Sequence, residues 1–202
     1  EDGFGNAVNV VRSVKELEAA GVSAIEIEDA IPPTRFNQGD LGLFSQKEQV
    51  GKLEAALAAR TDPMTAVVAR TTALAQFPLD EALGRIKAYS KTGVDAIRLA
   101  GLKTRDQLEA VHKATPLPLT VLSPPDGMAN DREFLAANGV SILMAGNPAF
   151  GMAIQAIYDS FKHLKDGGAV EDLAPREADA ALLRRVNRTD EFIQLQEQFL
   201  RE

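Results

Sequence analysis

Hydrophobic and polar positions along this chain follow two rhythms that alternate. Val10, Val11, Val14 and Leu17 recur at helical spacing and predict a helix over 6–20. Short apolar runs follow such helices: 24–28, 65–70, 96–99, 117–122 and 141–144, each reading as a strand. Further helices are expected over 45–60, where Ser45 and Glu48 make a capping box, and over 79–91, 104–114, 131–137 and 148–164. Asp166-Gly167-Gly168 breaks the pattern, and two more helical stretches, 175–186 and 190–200, finish the chain. One joint is written three times: a helix ends in Gly-Val and an apolar strand follows at once, at Gly21-Val22, Gly93-Val94 and Gly139-Val140. Glycine there supplies the left-handed cap, and the strand behind it is expected to be buried on both faces. Repeated joints of this kind mean stacked βα units.

Five strands, each followed by a helix, fit either an open doubly wound sheet or a (β/α)8 barrel. The opening helix lacks a strand before it, as in a barrel cut after its first two units. No GxGxxG or Walker sequence follows a strand, which lowers a nucleotide-binding reading. The 202 residues, 45% of them hydrophobic, suit one α/β domain over 1–202, with 166–202 as a helical extension. A formal net charge of −7 makes nucleic acid or an anionic membrane a poor partner. No apolar run is long enough to span a bilayer. The absence of cysteine excludes disulfides, thiolate metal sites and a cysteine nucleophile, and fits a cytoplasmic protein.

In folds built of βα units, chemistry gathers at the C-terminal ends of the strands. Those ends carry Glu28-Asp29, Arg70-Thr71-Thr72, Ala100-Gly101, Ser123 and Asn147, and the opening segment adds Glu1 and Asp2. Carboxylates and an arginine at one rim point to a hard cation and an anionic substrate. Oxygen ligands suit Mg²⁺, which needs only one or two carboxylates, and arginine offers a planar fork to a carboxylate or enolate oxygen. The bland readings stand beside these. Asp29 reads as a helix cap or a solvated loop residue, and Arg70 as a structural ion-pair partner. Glu26 shares a strand face with Glu28, a costly pair unless a cation or an arginine neutralises it. His112 and His163 read as surface residues. Phe150, Met152, Ile154, Ile157, Tyr158 and Phe161 read as a helix packing face in the core, and Tyr89 as a packing residue. The long loop 30–45 is of a length common in binding loops.

Glu1-Asp2-Gly3-Phe4-Gly5-Asn6, Asn9-Val10-Val11-Arg12, Ile27-Glu28-Asp29 and Ala69-Arg70-Thr71, in that order and spacing, resemble the isocitrate lyase/phosphoenolpyruvate mutase superfamily. The resemblance covers nearly the whole chain. It implies a (β/α)8 TIM-type barrel whose last helix is swapped between partners in a homodimer or homotetramer, with Mg²⁺ as cofactor and 2-oxo or 2-hydroxy dicarboxylates as substrates. It also implies that about two βα units precede Glu1. By position, Glu1 and Glu28 would hold Mg²⁺, largely through water, and Arg70 would bind the substrate carboxylate and the enolate oxygen. The departures narrow the chemistry. Phe36 stands where lyases of the family carry a catalytic cysteine, Thr72 where they carry an aspartate, and Ala100 where many carry a glutamate. Without an acid at Phe36, cleavage of isocitrate-like substrates loses its proton donor. Decarboxylation of a β-keto acid such as oxaloacetate asks only for stabilisation of the enolate, which Mg²⁺ and Arg70 would supply. Gly146-Asn147-Pro148-Ala149-Phe150 and Ile157-Tyr158-Asp159 resemble the oxaloacetate decarboxylase-like branch, with Asn147 in place of its usual histidine and Pro124 in place of its tyrosine. Asn147 and Ser123 are candidate substrate-binding residues. The expectation is a Mg²⁺-dependent decarboxylase or C–C lyase, with phosphonopyruvate mutase or hydrolase chemistry and a non-catalytic barrel as alternatives.

Overall fold

The computed structural model describes residues 3–32, 42–125 and 127–200. Glu1 and Phe36, singled out above, lie outside the described residues. The chain divides into two compact units, Glu1–Gly146 and Asn147–Glu202.

The first unit runs α1 (Ala7–Ala19), β1 (Ala24–Glu28), α2 (Gln46–Ala59), β2 (Ala66–Thr71), α3 (Ala73–Gln76), α4 (Leu79–Ser90), β3 (Ala96–Ala100), α5 (Arg105–Ala114), β4 (Leu119–Leu122), α6 (Arg132–Ala137) and β5 (Val140–Met144). The five strands are parallel and lie in the order β1-β2-β3-β4-β5. A doubly wound sheet reverses direction at a switch point; among the described residues this one does not. It winds one way, as the wall of a barrel does.

Side-chain alternation gives the two faces different jobs. Ile25 and Ile27, Val67 and Ala69, Ile97 and Leu99, and Leu119 and Val121 share one face and are buried. They form one core with Val10 and Val14 of α1, Leu53 and Ala56 of α2, Ala82 and Ile86 of α4, and Leu108 and Val111 of α5. The opposite face carries Glu26, Glu28, Val68, Arg70, Arg98, Ala100 and Thr120. Helix starts are fixed locally. Asn6 accepts from the amides of Val8 and Asn9, and Ser45 and Thr104 close capping boxes with Glu48 and Gln107. At the three repeated joints, Gly21, Gly93 and Gly139 have φ of +80°, +99° and +75°, the left-handed cap that the Gly-Val spelling predicts.

The elements depart from the sequence pattern in places. The strand after Gly139 is not buried on both faces. Ile142, Leu143 and Met144 are exposed, because β5 is an edge strand among the described residues of its unit. The four-residue helix α3, directly after β2, escapes the periodicity because it is barely one turn long. The stretch 175–186 is not one helix: a 3-10 helix over Val170–Arg176 ends before α8 (Ala180–Val186), which Asp179 caps through the Leu182 amide.

The second unit holds α7 (Pro148–Lys165), that 3-10 helix, α8 and α9 (Thr189–Phe199). Phe150, Met152, Ile154, Ile157, Tyr158 and Phe161 do recur along α7 at helical spacing, but they are exposed rather than core. No described residue of these helices is buried. The unit is held locally by surface ties such as Lys162–Asp166 and Arg188–Glu191, and by His163, whose ring meets the Ala169 carbonyl at 3.0 Å.

Tyr89 does more than pack. It is fully buried on α4, and its hydroxyl donates to Asp29 Oδ2 at 3.0 Å, while Thr71 Oγ1 donates to the same oxygen at 2.7 Å. Asp29 is therefore neither a cap nor a solvated loop residue: it is a buried knot joining β1, β2 and α4. Burial pushes its carboxyl above the usual range, against the opposing pull of the two hydroxyls and of the Arg85 guanidinium. Arg85 lies over the Phe77 ring and donates to the Phe44 carbonyl at 2.8 Å. Phe44 in turn donates its amide to the Asp29 carbonyl, and Ile31 donates to Gly42, so 29–31 and 42–44 meet as a short antiparallel ladder.

At the other end of the strands Glu18 closes the joint between α1 and the α2–β2 turn. Its carboxylate accepts from the amides of Thr61 and Asp62 and from the Thr61 hydroxyl. The Thr61 amide, more than the other contacts, holds the Glu18 carboxyl below its ordinary 4.5. A folded-state value below the unfolded one contributes stability that is present above the unfolded value and lost as pH falls through the folded one. Stability of the wild-type chain is thus expected to fall on acidification below about pH 4.5, and Glu18→Gln to shallow that fall in urea titrations across pH 3–6; parallel curves would dismiss the role. Tyr89→Phe removes one donor from the buried Asp29 carboxylate and is expected to cost about 1–3 kcal/mol with an unchanged m-value. An unmoved urea midpoint would show that the knot is idle.

Candidate active site on the polar face of the sheet

The parallel register places one polar residue on each of four neighbouring strands in a single row. Glu28 pairs with Arg70, Arg70 with Arg98, and Arg98 with Thr120. Residues in register share a face, so these four side chains leave the sheet on the side opposite the hydrophobic core. Glu28 is the last residue of β1 and Arg70 the next to last of β2, so the row begins at the C-terminal rim.

The Arg70 Nη2 lies 3.3 Å from Glu28 Oε2, with both side chains partly exposed. The sequence placed these two residues in one site, and the structure brings them into contact. Beneath them a second pair forms. Arg98 donates from Nη1 to Glu26 Oε1, reaching from β3 to β1 across the strand between them, where Val68 is the residue in register with Glu26. The like charges Glu26 and Glu28 are thus each matched by a guanidinium, so their shared face needs no bound cation to be tolerable. Lys52, on α2, adds a third cation behind the row: its Nζ lies 3.4 Å from the Glu28 carbonyl and 4.0 Å from the Phe44 ring centroid. Arg98 and Thr120 were not marked as site residues by the sequence, although a charge in the middle of Ala96-Ile97-Arg98-Leu99-Ala100 is a visible signal.

The fold does not use all of this face's hydrogen-bonding capacity. Arg70 Nε, Arg98 Nε and Thr120 Oγ1 are buried without a hydrogen-bond partner, three neighbours in one row. Buried donors of this kind are uncommon, and two guanidinium nitrogens side by side suit an oxyanion. For a divalent cation, no group of three or more acidic or histidine ligands exists among the described residues. The donor set nevertheless fits Mg²⁺: it is all oxygen, and Glu28 offers one carboxylate at the rim, where a Mg²⁺ ion that keeps several waters needs only one or two.

Ser123 follows β4 with φ of +46°, a left-handed conformation that costs a serine strain. Its amide donates to the Met144 carbonyl at 2.8 Å, and its exposed side chain lies at the strand end. Gly146, with φ of +76°, passes so close that a Cβ there would sit 2.9 Å from Ser123 Oγ. Asn147 opens the second unit, where its Oδ1 accepts from the Phe150 amide and caps α7. Ala100 continues the polar face of β3 after Arg98, Thr72 stands just past β2 as the N-cap residue of α3, and both are buried.

The chain is 41% identical over 200 residues to an oxaloacetate decarboxylase of Rhodopseudomonas palustris strain BisB5, covering 99% of this chain and 68% of that protein. It is 42% identical over 173 residues to the enzyme of the same name from strain HaA2, covering 86% and 60%. Among solved structures, phosphoenolpyruvate phosphomutase from Streptomyces platensis subsp. rosaceus superposes with a TM-score of 0.84 at 32% identity, over 99% of this chain and 71% of that one. Phosphonopyruvate hydrolase in complex with oxalate and Mg²⁺ gives 0.81 at 32%, over 98% and 70%. The sequence pattern of the phosphoenolpyruvate phosphomutase family matches residues 1–165, and the chain belongs to that family.

Proposed function

We propose that this protein is a Mg²⁺-dependent decarboxylase of a 2-oxo dicarboxylate such as oxaloacetate. The observation that carries the reading is the Glu28–Arg70 contact at the rim of the polar face, together with about 40% identity to oxaloacetate decarboxylases. Both partners are partly exposed, so the pair is held weakly. An arriving cation and an arriving oxyanion can each take one member of it. Glu28, with Glu1, would hold Mg²⁺, which supplies Lewis-acid polarisation of the keto oxygen when bound.

The rest follows from the chain's own residues. Arg70 presents its planar fork to the substrate carboxylate and keto oxygen. The bond between the β-carbon and the departing carboxylate breaks, CO₂ leaves, and the electron pair flows to the keto oxygen as an enolate. The guanidinium stabilises that oxygen more as its charge grows, which lowers the barrier. A proton from solvent then converts the enolate to pyruvate. No acid is needed while CO₂ departs, which suits a polar face whose two carboxylates, Glu26 and Glu28, are both paired with guanidinium groups. Ser123, just past β4, would orient the substrate's remaining oxygens; Asn147, whose Oδ1 caps α7, is a further substrate-binding candidate by its place in the sequence.

The protein acts in the cytoplasm as a homodimer or homotetramer. The support is the apolar stripe of α7, which its own unit leaves exposed and which a swapped helix would bury. No described helix is long and apolar enough to cross a membrane. Phosphonopyruvate chemistry is a second reading, supported by the 32% identity to the hydrolase that binds oxalate and Mg²⁺.

A coupled pyruvate assay on the full-length protein separates these readings. Metal-dependent pyruvate from oxaloacetate, abolished by chelator, is expected. Pyruvate from phosphonopyruvate alone selects the second reading, and silence with both leaves a non-catalytic member of the family. Glu28→Gln is expected to raise the Mg²⁺ requirement by at least the roughly tenfold that outer-sphere changes cost. Arg70→Lys should lower kcat about a hundredfold, the scale of losing one oxyanion donor, with the urea midpoint little changed. Full activity in either variant would remove that residue from the site.

A further inference from the structure

The proposed reading uses Glu28 and Arg70 and leaves the pair beneath them unexplained. That pair is expensive. The Arg98 side chain is only 7% exposed, and its Nε has no hydrogen-bond partner. Replacing a buried ion pair by apolar residues is often neutral or stabilising, and the neighbouring residues on this face, Val68 and Ala100, are apolar. Nor does the pair join neighbouring strands, since Arg98 reaches past β2 to arrive at Glu26 on β1.

Its position does have an electrostatic consequence. Arg98 sits beside Arg70 in the row, and Glu26 sits two residues before Glu28 on the same strand face. Two carboxylates and two guanidinium groups therefore share one corner of this face. If Arg98 were neutral, Glu26 would add a second carboxylate next to Glu28. If Glu26 were neutral, Arg98 would add a second guanidinium next to Arg70.

We propose that Arg98 and Glu26 are positioning residues for the Glu28–Arg70 site. By neutralising each other they leave Glu28 as the strand carboxylate that meets the cation and Arg70 as the guanidinium that meets the anionic substrate. The pair thereby sets the balance between cation and anion affinity. The inference rests on the proposed reading, and its mark is that single substitutions move the two affinities in opposite directions. A purely structural pair would weaken both together.

The test measures Mn²⁺ binding, as a probe for Mg²⁺, and oxalate binding at saturating Mn²⁺, both by titration calorimetry on the full-length protein. Arg98→Met is expected to tighten Mn²⁺ and weaken oxalate, each about tenfold, the size expected of one charge a few ångströms away at partial burial. Glu26→Gln, which preserves volume, is expected to do the reverse. The double variant Glu26→Gln/Arg98→Met should return both affinities to within about threefold of wild type. Should Arg98→Met fail to fold, Glu26→Gln alone carries the test. Same-direction shifts, no shifts, or a double variant that is no nearer wild type than the singles would each overturn the inference. Wild-type protein that binds neither Mn²⁺ nor oxalate would overturn the proposed function itself, a distinguishable result.

Discussion

The parallel register of β1 to β4 is the constraint from which the rest of this structure descends. Because side chains alternate, it sends Ile27, Ala69, Ile97 and Leu99 toward the helices and Glu28, Arg70, Arg98 and Thr120 the other way. A slip of one residue in β1, β2 or β3 would bury a charge in the core and empty its place in the polar row at once. The fold and the site are therefore specified by the same alternation. The Asp29 knot reinforces it: Thr71 and Tyr89 grip the residue next to Glu28 from behind the sheet, so the rim of β1 is held against both β2 and α4.

Electrostatically the polar face behaves as two storeys. The upper contact, Glu28 with Arg70, spans 3.3 Å with both side chains partly exposed. The lower one, Glu26 with Arg98, is drier on the arginine side. A site that must accept a cation and an anion together needs opposite charges that are close but not committed to each other. A rim pair backed by a second ion pair supports the proposed site, with carboxylates and guanidinium groups in equal number on this face.

Much of this was legible in the sequence, and the misses have physical causes. The Gly-Val joints announced the βα repeat because only glycine takes the positive φ there without strain. That Glu28 and Arg70 stand together at one rim was legible because both follow the same alternation to the ends of neighbouring strands. That Glu26 and Glu28 share a face followed from period two, but the identity of their neutralising partners did not. Arg98 finds Glu26 only through the registers of three strands, and no local pattern encodes that. Asp29 and Tyr89 are 60 residues apart, so a local reading could make one a cap and the other a packing residue. The stripe on α7 was rightly seen as a stripe, but periodicity says which side of a helix is greasy and not whether its own unit covers it.

The close approach of Gly146 to Ser123 bears on how the rim can change over time. One loop follows β4 and the other follows β5, and each bends through a left-handed residue. A Cβ at Gly146 would sit 2.9 Å from the Ser123 hydroxyl oxygen, so a side chain there has to turn that hydroxyl aside, while φ of +76° penalises any residue but glycine. Trimming Ser123 meets no such contact, so this corner is easier to alter from the β4 side than from the β5 side.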